Sequence, residues 1–124
     1  MSKKMPVEKV LNDIEQNHNC SWYVELYKRN MNNLNDTALL YRGTKVSYLE
    51  MFAKMDQYAK SMMQFGVTCG DEIPICMSNC PEIVYIIGAA SILGAKINIF
   101  SDEFDKDYIT EIINDCKCNI AFIE

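Results

Sequence analysis

Basic clusters, histidines and long apolar runs are what this sequence has least of. Twelve Lys and Arg stand against seventeen Asp and Glu, for a formal net charge of -5, and no run of Lys and Arg is longer than a pair such as Lys3 and Lys4. Sequence-independent binding to nucleic acid or to an anionic membrane needs a positive field, so both are excluded. The main apolar run, residues 83–93, falls short of the roughly 20 residues that cross a bilayer, which excludes a membrane span. The amino terminus, MSKKMPVEKV, carries no apolar stretch after its lysines and is not a secretory signal, so a cytoplasmic location is expected. The one histidine, His18, lies in the polar stretch NHNCS with no acid or nucleophile placed beside it, and reads as a solvated loop residue.

Chemical motifs are equally scarce. Neither G-x-G-x-x-G nor G-x-x-x-x-G-K-[ST] occurs, and G-x-S-x-G and H-E-x-x-H are absent too. The six cysteines, Cys20, Cys69, Cys76, Cys80, Cys116 and Cys118, include no Cys-x2-Cys pair. Cys76 and Cys80 fall at or after the C-terminal end of one strand and Cys116 and Cys118 before another, which in a parallel sheet separates the pairs by about 17–20 Å. With no signal peptide, a reducing compartment and free thiols are expected rather than disulfides. The residues themselves therefore nominate no catalytic, cofactor-binding or metal-binding side chain.

What is present is organised around residues 66–101. A short run rich in Ile (72–77) is followed by a polar break with Pro81, the apolar run 83–93, Gly94, and a second short run (96–100). Strand, helix, strand with turn residues at each boundary is the pattern of a parallel crossover unit. Ser78 and Asn79 are expected to cap the helix, Pro81 to occupy its first turn, Glu82 to meet its dipole, and Gly94 to end it in the left-handed conformation. The free N–H groups at residues 78–80 could hold an anion, but self-capping accounts for the same residues. No charge interrupts residues 83–95 and apolar positions run all round, so this helix is expected to be buried on more than one side.

The flanking pattern supplies the other elements. Val7, Val10, Leu11 and Ile14 mark an amphipathic helix over residues 6–16, and Ser21 opens a second over 22–31, anchored through Trp22, Leu26 and Met31. Residues 38–42 and 45–47 flank Gly43 and Thr44 as a hairpin. Ser47 and Glu50 form a capping box for a helix ending at Gly66, whose core face carries Tyr48, Phe52, Met55, Ala59 and Met62. A further helix (108–116) and a last strand (119–123) follow an acidic break. The expected class is α/β, a parallel sheet with crossover helices preceded by helices and a β-hairpin. Residues 1–36 are expected as an N-terminal helical segment and 37–124 as a partial α/β subdomain, truncated at its C-terminus.

The order of five segments, KVSYLEM (45–51), QFGV (64–67), GDEIPICMSNCPEIV (70–84), SILGAKINIF (91–100) and IINDCKCNIAFIE (112–124), resembles the start of the large N-terminal domain of the adenylate-forming superfamily, most of all its AMP-forming acyl-CoA synthetases. The sequence departs from that pattern at Lys96 and Asn98, where apolar residues are usual, and at residues 101–103, which lack the usual proline. Asp102 and Glu103 would repel the phosphates of CoA, so no CoA contact is carried over. The resemblance implies a parent enzyme that uses ATP and Mg2+ to activate a carboxylic acid as an acyl-adenylate and passes it to CoA. The phosphate loop, ribose-binding Asp and catalytic Lys of that family would lie downstream, in the remainder of the parent polypeptide, leaving this piece inactive alone and without a bound cofactor. A stand-alone α/β interaction or regulatory module, self-associating through an exposed apolar surface, stays open as an alternative. So does an adenylation enzyme that loads a carrier-protein thiol.

Overall fold

The computed structural model describes residues 22–124. The helix expected over residues 6–16, together with His18, Cys20 and the cap Ser21, lies outside these described residues. In chain order come helix α1 (Trp22–Arg29), strands β1 (Thr37–Tyr41) and β2 (Thr44–Ser47), helix α2 (Tyr48–Gln64), strand β3 (Glu72–Cys76), helix α3 (Pro81–Leu93), strand β4 (Lys96–Ile99), helix α4 (Lys106–Cys116) and strand β5 (Phe122–Ile123). The class is α/β as expected: a parallel sheet of order β4-β3-β5 and an antiparallel β1/β2 hairpin.

Helix α3 is the centre of the packing. Only Glu82 along its length is exposed, and Ile83, Tyr85, Ile86, Gly88, Ala89 and Ala90 are buried. One side packs with Ile73 and Ile75 of β3 and with Ala59 and Met62 of α2. Another places Tyr85 with Phe52, Met55, Tyr23 and Tyr27. Enclosure on more than one side is what a helix without a polar face requires. Gly88 permits the closest approach of α2 and α3, because a Cβ there would stand 2.2 Å from Met55 Sδ. Gly94 ends the helix at φ 73, ψ 22, the left-handed cap the sequence implies.

Helix α2 begins with the capping box: the Glu50 amide donates to Ser47 Oγ at 3.1 Å and the Ser47 hydroxyl donates to Glu50 Oε1 at 3.2 Å. Its expected core face holds, with Phe52, Met55, Ala59 and Met62 buried. The hairpin turn differs from the expected one. Tyr41 pairs with Thr44, so the two turn residues are Arg42 and Gly43, both at positive φ (50 and 81). A two-residue turn of that kind needs positive φ at both positions, which a β-branched Thr resists strongly and Arg tolerates better.

Helix α1 also corrects an expectation. Trp22 is 46% exposed and Met31 56%, whereas Tyr23, Val24 and Tyr27 are buried. Tyr23 and Tyr27 both meet the Phe52 ring edge-on, with centroids 5.6 and 5.2 Å away. Such pairs contribute about 0.5–1.5 kcal/mol beyond area burial. The Tyr23 amide donates to Ser91 Oγ of α3 at 3.0 Å, fixing α1 across the helix pair.

In β3 the amide planes alternate between neighbours. Carbonyls of Asp71 and Ile75 accept from Lys96 and Phe100 on the β4 side, while that of Cys76 accepts from Glu124 on the β5 side. Pro74 therefore turns its missing donor toward β5, whose ladder starts only at Phe122 opposite Ile75. A proline is tolerated in this middle strand because the neighbour on that side has not yet begun to pair.

Candidate functional site

The strand order creates a natural site. The chain passes from β3 through α3 to β4, then back across β3 through α4 to β5. Right-handed crossovers in opposite directions put α3 and α4 on opposite faces. The side chains agree. Ile73, Ile75, Ile97 and Phe122 join the cluster under α2 and α3, whereas Asn98, opposite Pro74, donates to Cys116 Sγ of α4 at 3.9 Å and to Glu72 Oε2 at 3.0 Å. The two departures on β4 thus lie on the α4 face, where Asn98 is satisfied by Glu72 while Lys96 is exposed. Where the strand order reverses, the connections leave a crevice at the carboxyl ends, the place where open α/β sheets bind ligands.

That reversal lies between β3 and β5, where residues 76–80 meet Glu124. The Ser78 amide donates to Glu124 Oε2 at 2.6 Å, and the Glu124 amide donates to the Cys76 carbonyl at 3.0 Å. The expected self-cap is absent: the N-cap of α3 is Cys80, with no side-chain bond to the helix, and Pro81 occupies the first turn. Ser78 and Asn79 are exposed, and the Ser78 amide is taken by a carboxylate 46 residues away. Bonding to Ser78 holds the Glu124 carboxyl below its ordinary range, with a further contribution from the Arg42 charge.

One nucleophile at the end of β3 is disabled. Cys76 is buried, and burial first, then the charges of Asp102 and Glu124, push its thiol upward. A thiol so held stays protonated and inert. Cys116 is raised in the same way, by burial and then by Glu72. Asp102 and Glu103 are exposed in the turn after β4, where the Glu103 amide bonds Ser101 Oγ at 3.0 Å. No described helix is long and apolar enough to span a membrane, and no three His, Cys, Asp or Glu among the described residues gather as a metal site.

The Glu124 carboxylate stands here against a polyphosphate, and it already engages the Ser78 amide. What the arrangement provides is a strand–loop–helix edge whose loop is tied to the end of β5 through Glu124.

A second concavity escaped the sequence reading. An apolar cleft of about 390 Å³ runs beside β5, lined by Tyr58, Ser61, Met62, Phe65, Ile120, Ala121 and Phe122. Its walls come from segments some sixty residues apart, so no local pattern announces it. Phe65, one of its lining residues, is 67% exposed. The Tyr58 hydroxyl is raised by burial and then by Glu82, and its ring meets Tyr85 edge-on at 5.7 Å.

Comparisons with known proteins converge on one group. A family model described as "AMP-binding enzyme" matches residues 26–124. The 2-succinylbenzoate–CoA ligase of Oceanobacillus iheyensis is 42% identical over 53 residues, covering 43% of this chain and 11% of that protein. The acetyl-coenzyme A synthetase of Dictyostelium discoideum is 28% identical over 94 residues, covering 71% of this chain and 14% of that protein. The fold matches O-succinylbenzoate coenzyme A synthetase from Bacillus subtilis, solved with AMP, at TM-score 0.72 and 22% identity, over 82% of this chain and 26% of that one. The chain thus spans about an eighth of the curated relatives' length.

Proposed function

Because the chain belongs to the AMP-binding enzyme family, whose matched relatives are acyl-CoA ligases, we infer that it is the opening part of an AMP-forming acid–thiol ligase and serves that enzyme as scaffold. The supporting observation is the segment over residues 70–84, which folds as β3, an exposed loop and α3 at the point where the strand order reverses. The parent reaction joins a carboxylic acid to ATP with Mg2+, releases pyrophosphate, and transfers the acyl group from its adenylate to CoA. The described residues contribute no acid, base or nucleophile to it. The isolated chain is inactive and binds neither ATP nor CoA, and residues 37–124 form its partial α/β subdomain, preceded by helical residues 1–36.

The partner is then the remainder of the parent polypeptide, in a reducing cytoplasm that suits the five free thiols of the described residues. The exposed apolar margin of the β5 cleft favours a second role, self-association of the isolated chain. The test is acid-dependent exchange of labelled pyrophosphate into ATP, run on the 124-residue chain and on the product of its complete reading frame. Exchange by the longer product alone is expected. Exchange by the isolated chain overturns the scaffold assignment, and a reading frame that ends at Glu124 overturns the parent enzyme.

A further inference from the structure

Strand β5 is anchored by little of its own. Only Phe122 and Ile123 pair with β3, opposite Ile75 and Cys76. The far end is secured by Glu124, whose amide donates to the Cys76 carbonyl and whose carboxylate accepts from the Ser78 amide. Ahead of Phe122 no ladder pair with β3 forms, yet residues 120–122 make one wall of the apolar cleft. Strands usually run about 3–10 residues, so a ladder this short leaves the start of β5 to be held by other contacts.

The end of α2 supplies that hold. It closes as a Schellman motif: the Val67 amide donates to the Met62 carbonyl at 3.1 Å and the Gly66 amide to the Met63 carbonyl at 3.0 Å, with Gly66 at φ 88. Those bonds leave the carbonyl of Phe65, the C-cap residue, to be met from outside the helix. Asn119 Nδ2, 54 residues along the chain, donates to it at 3.3 Å. The same nitrogen lies over Gly66, where a Cβ would stand only 2.7 Å from it. Gly66 is thus required twice, for its left-handed backbone and for the room it leaves to Asn119. Phe65 lines one wall of the cleft, and Ile120, next to Asn119, lines the other.

We propose that Asn119 and Gly66 form a clamp that fixes the start of β5 against the end of α2 and sets the spacing of the two cleft walls. The segment is then a strap fastened at both ends, by Asn119 on α2 and by Glu124 on the loop after β3. Releasing the first fastening lets residues 117–121 swing outward about the second and widens the cleft, while β3, β4 and α3 keep their packing. Only the amide nitrogen of Asn119 suits this place, because its partner is a carbonyl oxygen. Aspartate has the same shape but no donor when ionised, and cannot close the clamp. This goes beyond the ligase assignment and does not depend on it.

Amide hydrogen exchange of the 124-residue chain, followed by NMR, tests the clamp. Asn119→Ala is expected to speed exchange at residues 120–124 by about two- to tenfold, the net worth of one hydrogen bond. The Phe100 amide, bonded to the Ile75 carbonyl on the other side of β3, should keep its rate. Asn119→Asp should loosen the same residues at least as much. Gly66→Ala should speed them too, and its effect should shrink once residue 119 is alanine, because the two changes break one contact. Both positions are exposed, so these variants keep a folded core. Three results overturn the proposal: unchanged rates at residues 120–124, an equal rise at Phe100, or wild-type rates in Asn119→Asp. A Gly66→Ala effect of the same factor in both backgrounds overturns the role of Gly66 as the seat of Asn119.

Discussion

Substituting Gly88 by alanine isolates the contact on which the two main helices depend. In an exposed helix this change stabilises, by about 1 kcal/mol, because glycine has the larger backbone entropy to lose. Here the new methyl would stand 2.2 Å from Met55 Sδ, 2.4 Å from Cγ and 2.7 Å from Cε. Met55 is fully buried, so its side chain cannot swing out, and α2 and α3 must separate or Met55 must leave its rotamer. Overpacking of a filled core costs about 1–3 kcal/mol, and three simultaneous overlaps put this case near the upper end. The net expectation is a loss of about 2 kcal/mol, or a melting temperature lower by roughly 10 °C for a chain of this size. Urea and thermal unfolding of the wild type, Gly88→Ala, Met55→Ala and the double variant complete a cycle. The double variant should lie at least about 1 kcal/mol above the sum of the single effects, since each change makes room for the other. A Gly88→Ala protein as stable as wild type, or additive effects in the cycle, would show that Met55 does not fill the space against Gly88.

Three other outcomes follow from the same structure. Gly94→Val should destabilise by about 1 kcal/mol or more, because the cap sits at positive φ; unchanged thermal stability would remove that assignment. The Glu124 carboxyl is lowered from its ordinary 4.5, so its bond to Ser78 contributes above that value and is lost as pH falls through the lower folded one. The Ser78 amide resonance should follow that titration and cease to move in Glu124→Gln, and a Ser78 shift independent of acid would contradict the contact. Thiol labelling followed by mass spectrometry should find Cys69 modified at once, and Cys76 and Cys116 only as the protein unfolds. Equal rates at all three would mean that the sheet is not closed over Cys76.

Local pattern carried the sequence reading where local chemistry decides the outcome. Helix α3 has no polar side, so its deep burial and its glycine terminus were both legible in residues 83–94. The α2 cap was legible because Ser47 and Glu50 satisfy each other within one turn. Helix α1 was misread because it is apolar on two sides. Trp22 and Leu26 repeat at the same spacing as Tyr23 and Tyr27, and only the position of Phe52, far along the chain, selects the tyrosines. The cap of α3 was misread for the same reason, since the Ser78 amide is claimed by Glu124, which no window around Pro81 contains. The β5 cleft needs two distant segments together and has no local signature. As for the site, the inert state of Cys76 depends on its burial first and then on the charges of Asp102 and Glu124, all gathered by the sheet from distant segments.

Pro74 also works as a phase mark for assembly of the sheet. A two-residue strand such as β5 has little with which to choose its own alignment, and a slip by one residue would turn Phe122 from the core to the opposite face. A slip by two residues toward the start of β3 would keep the faces correct but bring the β5 carbonyls to a position where β3 has no hydrogen to give. The single missing N–H thus bars the misalignment that side-chain pattern alone permits, and β5 has one place to settle before anything can be built on its far side.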